Sequence, residues 1–316
     1  MTIDDAIQQF TEYLEIEKGF SPLTIRSYER YLRRFSSWAM EQLAAAATPE
    51  SIDRELVRKY RLHLARLTDQ NGQRLKKVTQ SYHLIVLRAF LRYLSVQRNI
   101  TTLSPDEVEL PKASGSTIKF LASKDLDKLL TSPDTSNTIG LRDRAILETL
   151  FSTGLRVSEL ARLNRSQMDL DAKELGVIGK GGKPRVVFFS DSAAQWIRRY
   201  VESRQDSYEP LFIRYSGHQD TARSGEKMRL TPRSVQRIVA KYSRRSFLPV
   251  KASPHTLRHS FATDLLIGGA DIRSVQEMLG HKNIATTQIY THVTDRHLKE
   301  VHKTFHGRSR KPKEDE

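Results

Sequence analysis

The chain has 316 residues, enough for two domains with separate cores, and its 38% apolar content fits a globular protein with large polar surfaces. It contains no cysteine, which excludes disulfides, thiolate nucleophiles and cysteine-held zinc or iron–sulfur centres. No run of about 18 apolar residues is present, so no membrane span is expected, while a net charge of +15 and a pI near 9.9 point to polyanionic partners.

The charge is uneven. Residues 1–112 hold 17 Lys and Arg against 14 Asp and Glu, and the remainder carries 35 against 23. Solubility alone is the plainer explanation of a basic chain. Nucleic acid is favoured because the cations recur on helix faces instead of sitting in one tail. The acidic, amphipathic start "MTIDDAIQQF" is unlike a secretion signal. A cytoplasmic, nucleoid-associated setting is expected.

In chain order, the first third reads as four helices. Ile3, Ile7, Phe10 and Leu14 follow helical spacing. In "SPLTIRSYERYLRRF", Ser21 caps and Pro22 takes the first helical position, with Ile25, Tyr28, Leu32 and Phe35 as the apolar stripe. "TPESIDRELVRKYRLHLARL" repeats the pattern with Leu56, Tyr60, Leu64 and Leu67, and "QSYHLIVLRAFLRYL" with Leu84, Leu87, Leu91 and Leu94. Arg26, Arg30, Arg33, Arg88 and Arg92 fall on the opposite faces. Between the third and fourth helices, "TDQNGQRLKK", with Lys76 and Lys77, is a polar loop. A stretch rich in Pro, Ser and Gly follows, so a helical domain over 1–111 and a linker over 112–118 are expected.

The second domain, 119–316, is mixed. "SKDLDKLL" and "GLRDRAILETLFSTG" read as helices, the latter stopped by Gly154, and "LRVSELARL" as a short helix. "KELGVIGKGGKPRVVFFS" reads as two strands and a glycine-rich turn. Helices follow in "DSAAQWIRRYVESR", in "TPRSVQRIVAKYSRR" capped by Thr231, in "SPHTLRHSFATDLLIGG" capped by Ser253, and in "DIRSVQEMLG" between Asp271 and Gly280. "TDRHLKEVHKTF" can form a last helix with Leu298, Val301 and Phe305 on one side. The fold class expected is mainly α with a small β-sheet.

Four short stretches carry chemistry. His255 and His259 have the spacing of a helical zinc pair, but no glutamate follows the first histidine and Arg258 would set a permanent cation beside the metal. Two readings remain: a half-buried histidine pair, or an anion site in which His255 and Arg258 face a phosphate near a helix N-terminus. In "TGLRVSEL", Arg156 opens a helix and Glu159 stands at i+3, able to hold it; an ordinary surface salt bridge is the plainer alternative. Lys180 sits in "GKGGKPR", which has neither Walker nor dinucleotide spacing. Alone it is a solvated turn lysine. The fourth stretch, "LGHKNIATTQIYTH", is too polar for a core strand and ends on Tyr290. Together, two arginines, a lysine, two histidines and a tyrosine form a set for phosphoryl transfer without metal. A phosphodiester needs on the order of 20 kcal/mol of barrier lowering. Guanidinium groups can stabilise charge on the nonbridging oxygens, and a tyrosine can form a stable phosphoester once activated.

The ordered set "TGLRVSEL", "GKGGKPR", "SPHTLRHSFATDLL", "LGHKNIATTQIYTH" closely resembles the tyrosine site-specific recombinases of the phage integrase family, most of all the Xer-like members. The resemblance covers almost the whole chain. It implies an N-terminal four-helix, SAM-like core-binding domain and a C-terminal α+β catalytic domain that clamp DNA between them. It implies that Tyr290 attacks the scissile phosphate, giving a 3′-phosphotyrosine and a free 5′-hydroxyl. Arg156 and Arg258 would clamp the nonbridging oxygens and Lys180 would protonate the leaving oxygen. His255 would assist proton transfer, His281 would donate a hydrogen bond to the phosphate, and Glu159 would support Arg156. No cofactor, ATP or metal is implied. Arg26, Arg30, Lys76, Lys77, Arg88, Arg233 and Lys241 become candidate DNA contacts.

The implied partners are duplex DNA with a specific site and, in the assembly, four protomers on two duplexes. These would be a homotetramer or a heterotetramer with a paralogue, with a DNA translocase as a further partner. The implied task is chromosome or plasmid dimer resolution, or integration and excision of a mobile element. The apparent lack of an arm-binding N-terminal domain leans toward a Xer-type resolver or a simple mobile-element integrase. Two departures stand out: Phe188–Phe189 where many relatives carry Val-Pro, and Asp264 where a histidine is common. Neither touches the proposed catalytic set. A type IB topoisomerase-like enzyme that nicks and reseals, and a non-catalytic DNA-binding relative, are the competing readings.

Overall fold

The computed structural model describes residues 1–43, 47–69, 71–111, 119–179, 184–218, 220, 222 and 224–280. The expected linker 112–118, Lys180, and everything from His281 onward, Tyr290 and the expected last helix included, lie outside the described residues. The contacts divide the chain into two compact units, Met1–Ser116 and Thr117–Glu316.

In the N-terminal unit, α1 (Ile3–Ile16), α2 (Pro22–Leu43), α3 (Arg54–Arg66) and α4 (Lys77–Arg98) pack mutually around one core. Thr2 and Asp5 form a reciprocal capping box at the start of α1, with bonds of 3.0 and 3.1 Å. The apolar stripes of α1 and α2 meet α4, whose Leu84, Leu87, Phe90, Leu91 and Leu94 are all buried. The boundaries of α3 and α4 differ from expectation. Pro49–Ser51 forms a separate 3-10 turn, and Asp53 caps α3 by accepting the Leu56 N–H at 2.7 Å. At the other end Leu67 falls past α3, half-buried, with an extended ψ of 127°. Helix α4 starts three residues before Gln80, where no side chain caps it; the Gln80 amide instead donates to the Leu75 carbonyl at 2.7 Å.

In the C-terminal unit, α6 (Thr138–Thr153) is the centre. It follows α5 (Ser123–Thr131) and touches α5, α7 (Val157–Ala161), α8 (Asp191–Glu202), α9 (Pro232–Arg245), α10 (Pro254–Ile267) and the second strand of the sheet. A helix with so many neighbours is buried over most of its circumference, and in α6 only Ile139, in the first turn, is exposed. Its charged residues accordingly find partners: Arg142 and Asp143 pair at 2.6 Å, Arg144 and Glu148 at 2.6 Å, and the Tyr242 hydroxyl donates to Asp143 at 2.9 Å. Strands β1 (Glu174–Ile178) and β2 (Pro184–Phe188) form one antiparallel ladder, with Gly176 opposite Val186. Leu175, Val177 and Val187 face inward, while Ile178, Val186 and Phe188 face outward. Thr231 and Ser253 cap α9 and α10 as the sequence indicates, Ser190 also caps α8, and Asp271 caps α11 (Ile272–Leu279) through the Arg273 and Ser274 N–H groups, both at 2.9 Å. Among the described residues no helix is long and apolar enough to cross a membrane.

Candidate active site

The site is assembled from the ends of four elements. Helix α6 stops at Gly154, which adopts φ 59°. This left-handed turn lets Leu155 bury and brings Arg156 to the start of α7. Only glycine fits there, because a Cβ would lie 2.4 Å from Cδ1 of Phe261 on α10. Glu159, one turn into α7, reaches back to Arg156. Its carboxylate accepts the Arg156 backbone N–H at 2.9 Å and the Arg156 guanidinium at 3.0 Å. The side chain of Glu159 is only 7% exposed, so this is not the surface salt bridge considered from the sequence alone.

Arg258 lies on the second turn of α10, the helix capped by Ser253, and is buried. Its guanidinium donates to the Gly154 carbonyl and to the Leu279 carbonyl. The first bond ties α10 to the turn that positions Arg156; the second ties it to the end of α11. Arg156 Nη2 donates to the next carbonyl, Gly280, at 3.0 Å. Arg185, on β2, donates through Nε to Met278 at 3.3 Å. Three guanidinium groups from three elements thus meet three consecutive carbonyls. The last carbonyls of a helix lack intrahelical donors and carry the negative end of its dipole, so cations are favoured there. Gly280 closes α11 at φ 63°, and a Cβ on it would lie 3.2 Å from Cδ of Arg185.

In "GKGGKPR" the sequence motif draws attention to Lys180 and not to Arg185. Its guanidinium forks onto Glu159, Nη1 to Oε1 at 3.1 Å and Nη2 to Oε2 at 2.8 Å. A signal for it exists. The alternation of "PRVVF" places residue 185 on the same inward face as buried Val187, where an arginine is out of place without a partner. Burial pushes the Glu159 carboxyl up, but the hydrogen bonds from Arg185 and Arg156 and the Arg185 charge outweigh it, and its pKa falls below the usual glutamate value.

His255 stands on the first turn of α10 and remains solvent-accessible. Partial desolvation, then the charges of Arg258 and Arg156, hold its pKa below the ordinary histidine value. His259 is half-buried and shifted the same way by burial, His255 and Arg258. Both imidazoles therefore favour the neutral form, in which one ring nitrogen can accept a proton. Among the described residues no group of three or more His, Asp or Glu side chains is placed to hold a metal. Arg156 also lines a cleft of about 410 Å³ with Glu159, Arg162, Gln167 and the end of β1 through Gly179. The site thus gathers Arg156, Glu159, Arg258 and His255; Lys180, His281 and Tyr290 lie outside the described residues.

The candidate DNA contacts are scattered. Arg26, Lys76 and Lys77 are exposed, and Arg30 lies over the Tyr31 ring at 5.1 Å. Arg88 is half-buried and engaged: it donates to the Pro105 carbonyl at 2.9 Å and pairs with Asp106 at 3.5 Å. That intramolecular tie makes it a poorer candidate than its neighbours. Arg233 and Lys241 are exposed on α9, with Lys241 over the Tyr242 ring at 4.7 Å and 3.9 Å from Asp143.

Two arginines on separate elements, a histidine whose pKa is held low and a buried glutamate brace make a basic site suited to an anion. Residues 119–297 match the phage integrase family and residues 7–99 its N-terminal SAM-like domain, so the chain belongs to the phage integrase family of tyrosine recombinases, DNA strand-transferring enzymes. The chain is 38% identical to tyrosine recombinase XerC of Pelobacter propionicus, over 99% of this chain and 98% of that protein. It is 37% identical to tyrosine recombinase XerD of Listeria innocua, over 97% and 100%. In structure it resembles the XerH site-specific recombinase bound to a palindromic difH substrate, with a TM-score of 0.69 and 22% identity, over 95% of this chain and 85% of that one.

Proposed function

We propose that this protein is a site-specific DNA recombinase that cleaves and rejoins duplex DNA through a 3′-phosphotyrosine at Tyr290. One observation carries the reading. Arg156 and Arg258, 102 positions apart in the chain, are brought onto the adjacent carbonyls of Gly280 and Leu279, directly before His281 in the sequence. The chain thus ties both arginines to the start of the segment that holds Tyr290.

In this reading the two guanidinium groups receive the scissile phosphate and neutralise charge that builds on its nonbridging oxygens. Neutral His255 takes the phenol proton as Tyr290 attacks phosphorus. The P–O5′ bond breaks, Lys180 gives its proton to the departing 5′-oxygen, and His281 donates a hydrogen bond to the phosphate. The phosphotyrosine conserves the bond energy. A 5′-hydroxyl from a partner duplex then attacks it, releases Tyr290 and completes strand exchange. No nucleotide hydrolysis enters this balance. The likeness to XerC and XerD over nearly the full chain favours resolution of chromosome or plasmid dimers over integration and excision of a mobile element. The family resemblance further implies four protomers on two duplexes, alone or with a paralogue, and control by a DNA translocase.

The test is covalent trapping. The protein is incubated with a nicked suicide duplex carrying the site selected by its own binding, without divalent metal, beside Tyr290→Phe. A denaturation-resistant adduct, absent from the variant, is the expected result. Supercoil relaxation on DNA without such a site would favour a topoisomerase instead. Binding without any adduct would favour a non-catalytic relative.

A further inference from the structure

We infer that Arg185 is a positioning residue for strand cleavage, which fixes Glu159 against Arg156 and keeps that glutamate from neutralising Arg156. The inference rests on the proposed recombinase reading.

The Glu159 carboxylate has four acceptor sites, and all four are filled. Oε1 accepts Arg156 Nη1 and Arg185 Nη1, at 3.0 and 3.1 Å. Oε2 accepts the Arg156 backbone N–H and Arg185 Nη2, at 2.9 and 2.8 Å. One carboxylate therefore serves two guanidinium groups, and the triad keeps a net charge of one. That charge has a direction. Side-chain exposure rises from 7% at Glu159 to 12% at Arg185 and 26% at Arg156. The excess positive charge faces outward through Arg156, where a phosphate can reach it.

A second set of contacts makes Arg185 a fixed anchor. It sits on the inward face of β2, donates to the Met278 carbonyl, and packs its Cδ against Gly280. The same side chain thus sets the orientation of Arg156, through Glu159, and the exit of α11. Without Arg185, Glu159 has only Arg156 to pair with. It becomes free to adopt a geometry that neutralises Arg156 and turns it from the phosphate. A bidentate fork is needed for this task, which a lysine cannot supply.

The test uses full-length wild type, Arg185→Gln, Arg185→Lys, Glu159→Gln and the Arg185→Gln/Glu159→Gln pair. The single-turnover rate of adduct formation at saturating protein is measured on the suicide duplex, with duplex affinity and melting temperature measured in parallel. Arg185→Gln is expected to slow cleavage by about 100-fold, the scale of a misplaced catalytic group. Duplex affinity should change by less than about threefold, because the step lost is orientation and not docking. In the Glu159→Gln background the same change should cost less than about threefold more, because both variants break one linkage. Arg185→Lys should stay slow, recovering less than half of the loss on a logarithmic scale; should Arg185→Gln unfold, this variant carries the test alone. Cleavage by Arg185→Lys within about threefold of wild type overturns the inference. So do losses that multiply in the double variant, which would mean that the two residues act independently. A wild type that forms no adduct overturns the recombinase reading and this inference together. A wild type that cleaves while the Arg185 variants keep pace overturns only this one.

Discussion

Replacing Gly154 with alanine should damage the C-terminal unit and the site at once. Two costs add. The left-handed backbone at φ 59° costs an L-residue about 1 kcal/mol. The new methyl would stand 2.4 and 2.8 Å from the Phe261 ring, and forcing such overpacking costs about 2 kcal/mol. The sum, about 3 kcal/mol, corresponds to a fall in melting temperature of about 9 °C for a unit of this size. Differential scanning calorimetry of the full chain reads it, with the two units followed separately. Phe261→Ala removes both ring carbons and leaves only the 3.2 Å contact with Cδ2 of Leu279, so the cost of Gly154→Ala should drop to about 1–2 kcal/mol in that background. Cleavage should also slow in Gly154→Ala, because the Gly154 carbonyl receives Arg258 and Arg156 follows two residues later. An equal cost in both backgrounds, or one well under 1 kcal/mol, would refute the steric argument.

His83 is buried, accepts or donates one hydrogen bond with the Tyr60 hydroxyl at 3.1 Å, and leaves Nε2 without a partner among the described residues. Burial, with the charge of Arg34 next, lowers its pKa to about 4. Folding therefore favours the neutral ring, and the unfolded chain binds the proton first. Stability is full above about pH 6.5 and declines as pH falls toward 4, by about 3 kcal/mol in all. Hydrogen exchange in α4 should record this decline, and His83→Leu should abolish it. On the DNA surface, Arg233→Ala and Lys241→Ala should each weaken binding across all sequences and reduce the slope of log affinity against log salt by about 1. Unchanged salt slopes would remove α9 from the interface.

Much of the fold is local enough to read from the sequence. Ser21, Thr231, Ser253 and Asp271 announce helix starts because a short polar side chain can satisfy the N–H groups there, and Gly154 and Gly280 announce ends because the chain must turn left-handed. The start of α4 has no such marker, and the apolar pattern alone sets it three residues too late, at Gln80 instead of Lys77. The segment between α8 and α9 has no period to read. It is held by buried Arg204, which donates to the carbonyls of Pro210 at 2.8 Å and Leu211 at 2.9 Å. Such long-range side-chain bonds leave no trace in local spacing. The site divides the same way. The i, i+3 spacing joins Arg156 to Glu159, whereas Arg185 reaches Glu159 from 26 positions away through a sheet face. The meeting of three arginines on the end of α11 is a property of tertiary packing, and no single motif contains it.

The central claim is that Tyr290 becomes covalently joined to DNA, and peptide mapping of the trapped complex tests it most directly. The adduct is formed on the suicide duplex, digested with protease and nuclease, and sequenced by tandem mass spectrometry. A single modified peptide is predicted, carrying a nucleotide joined through its 3′-phosphate to Tyr290. An adduct on any other residue, or linkage through a 5′-phosphate, would contradict the account.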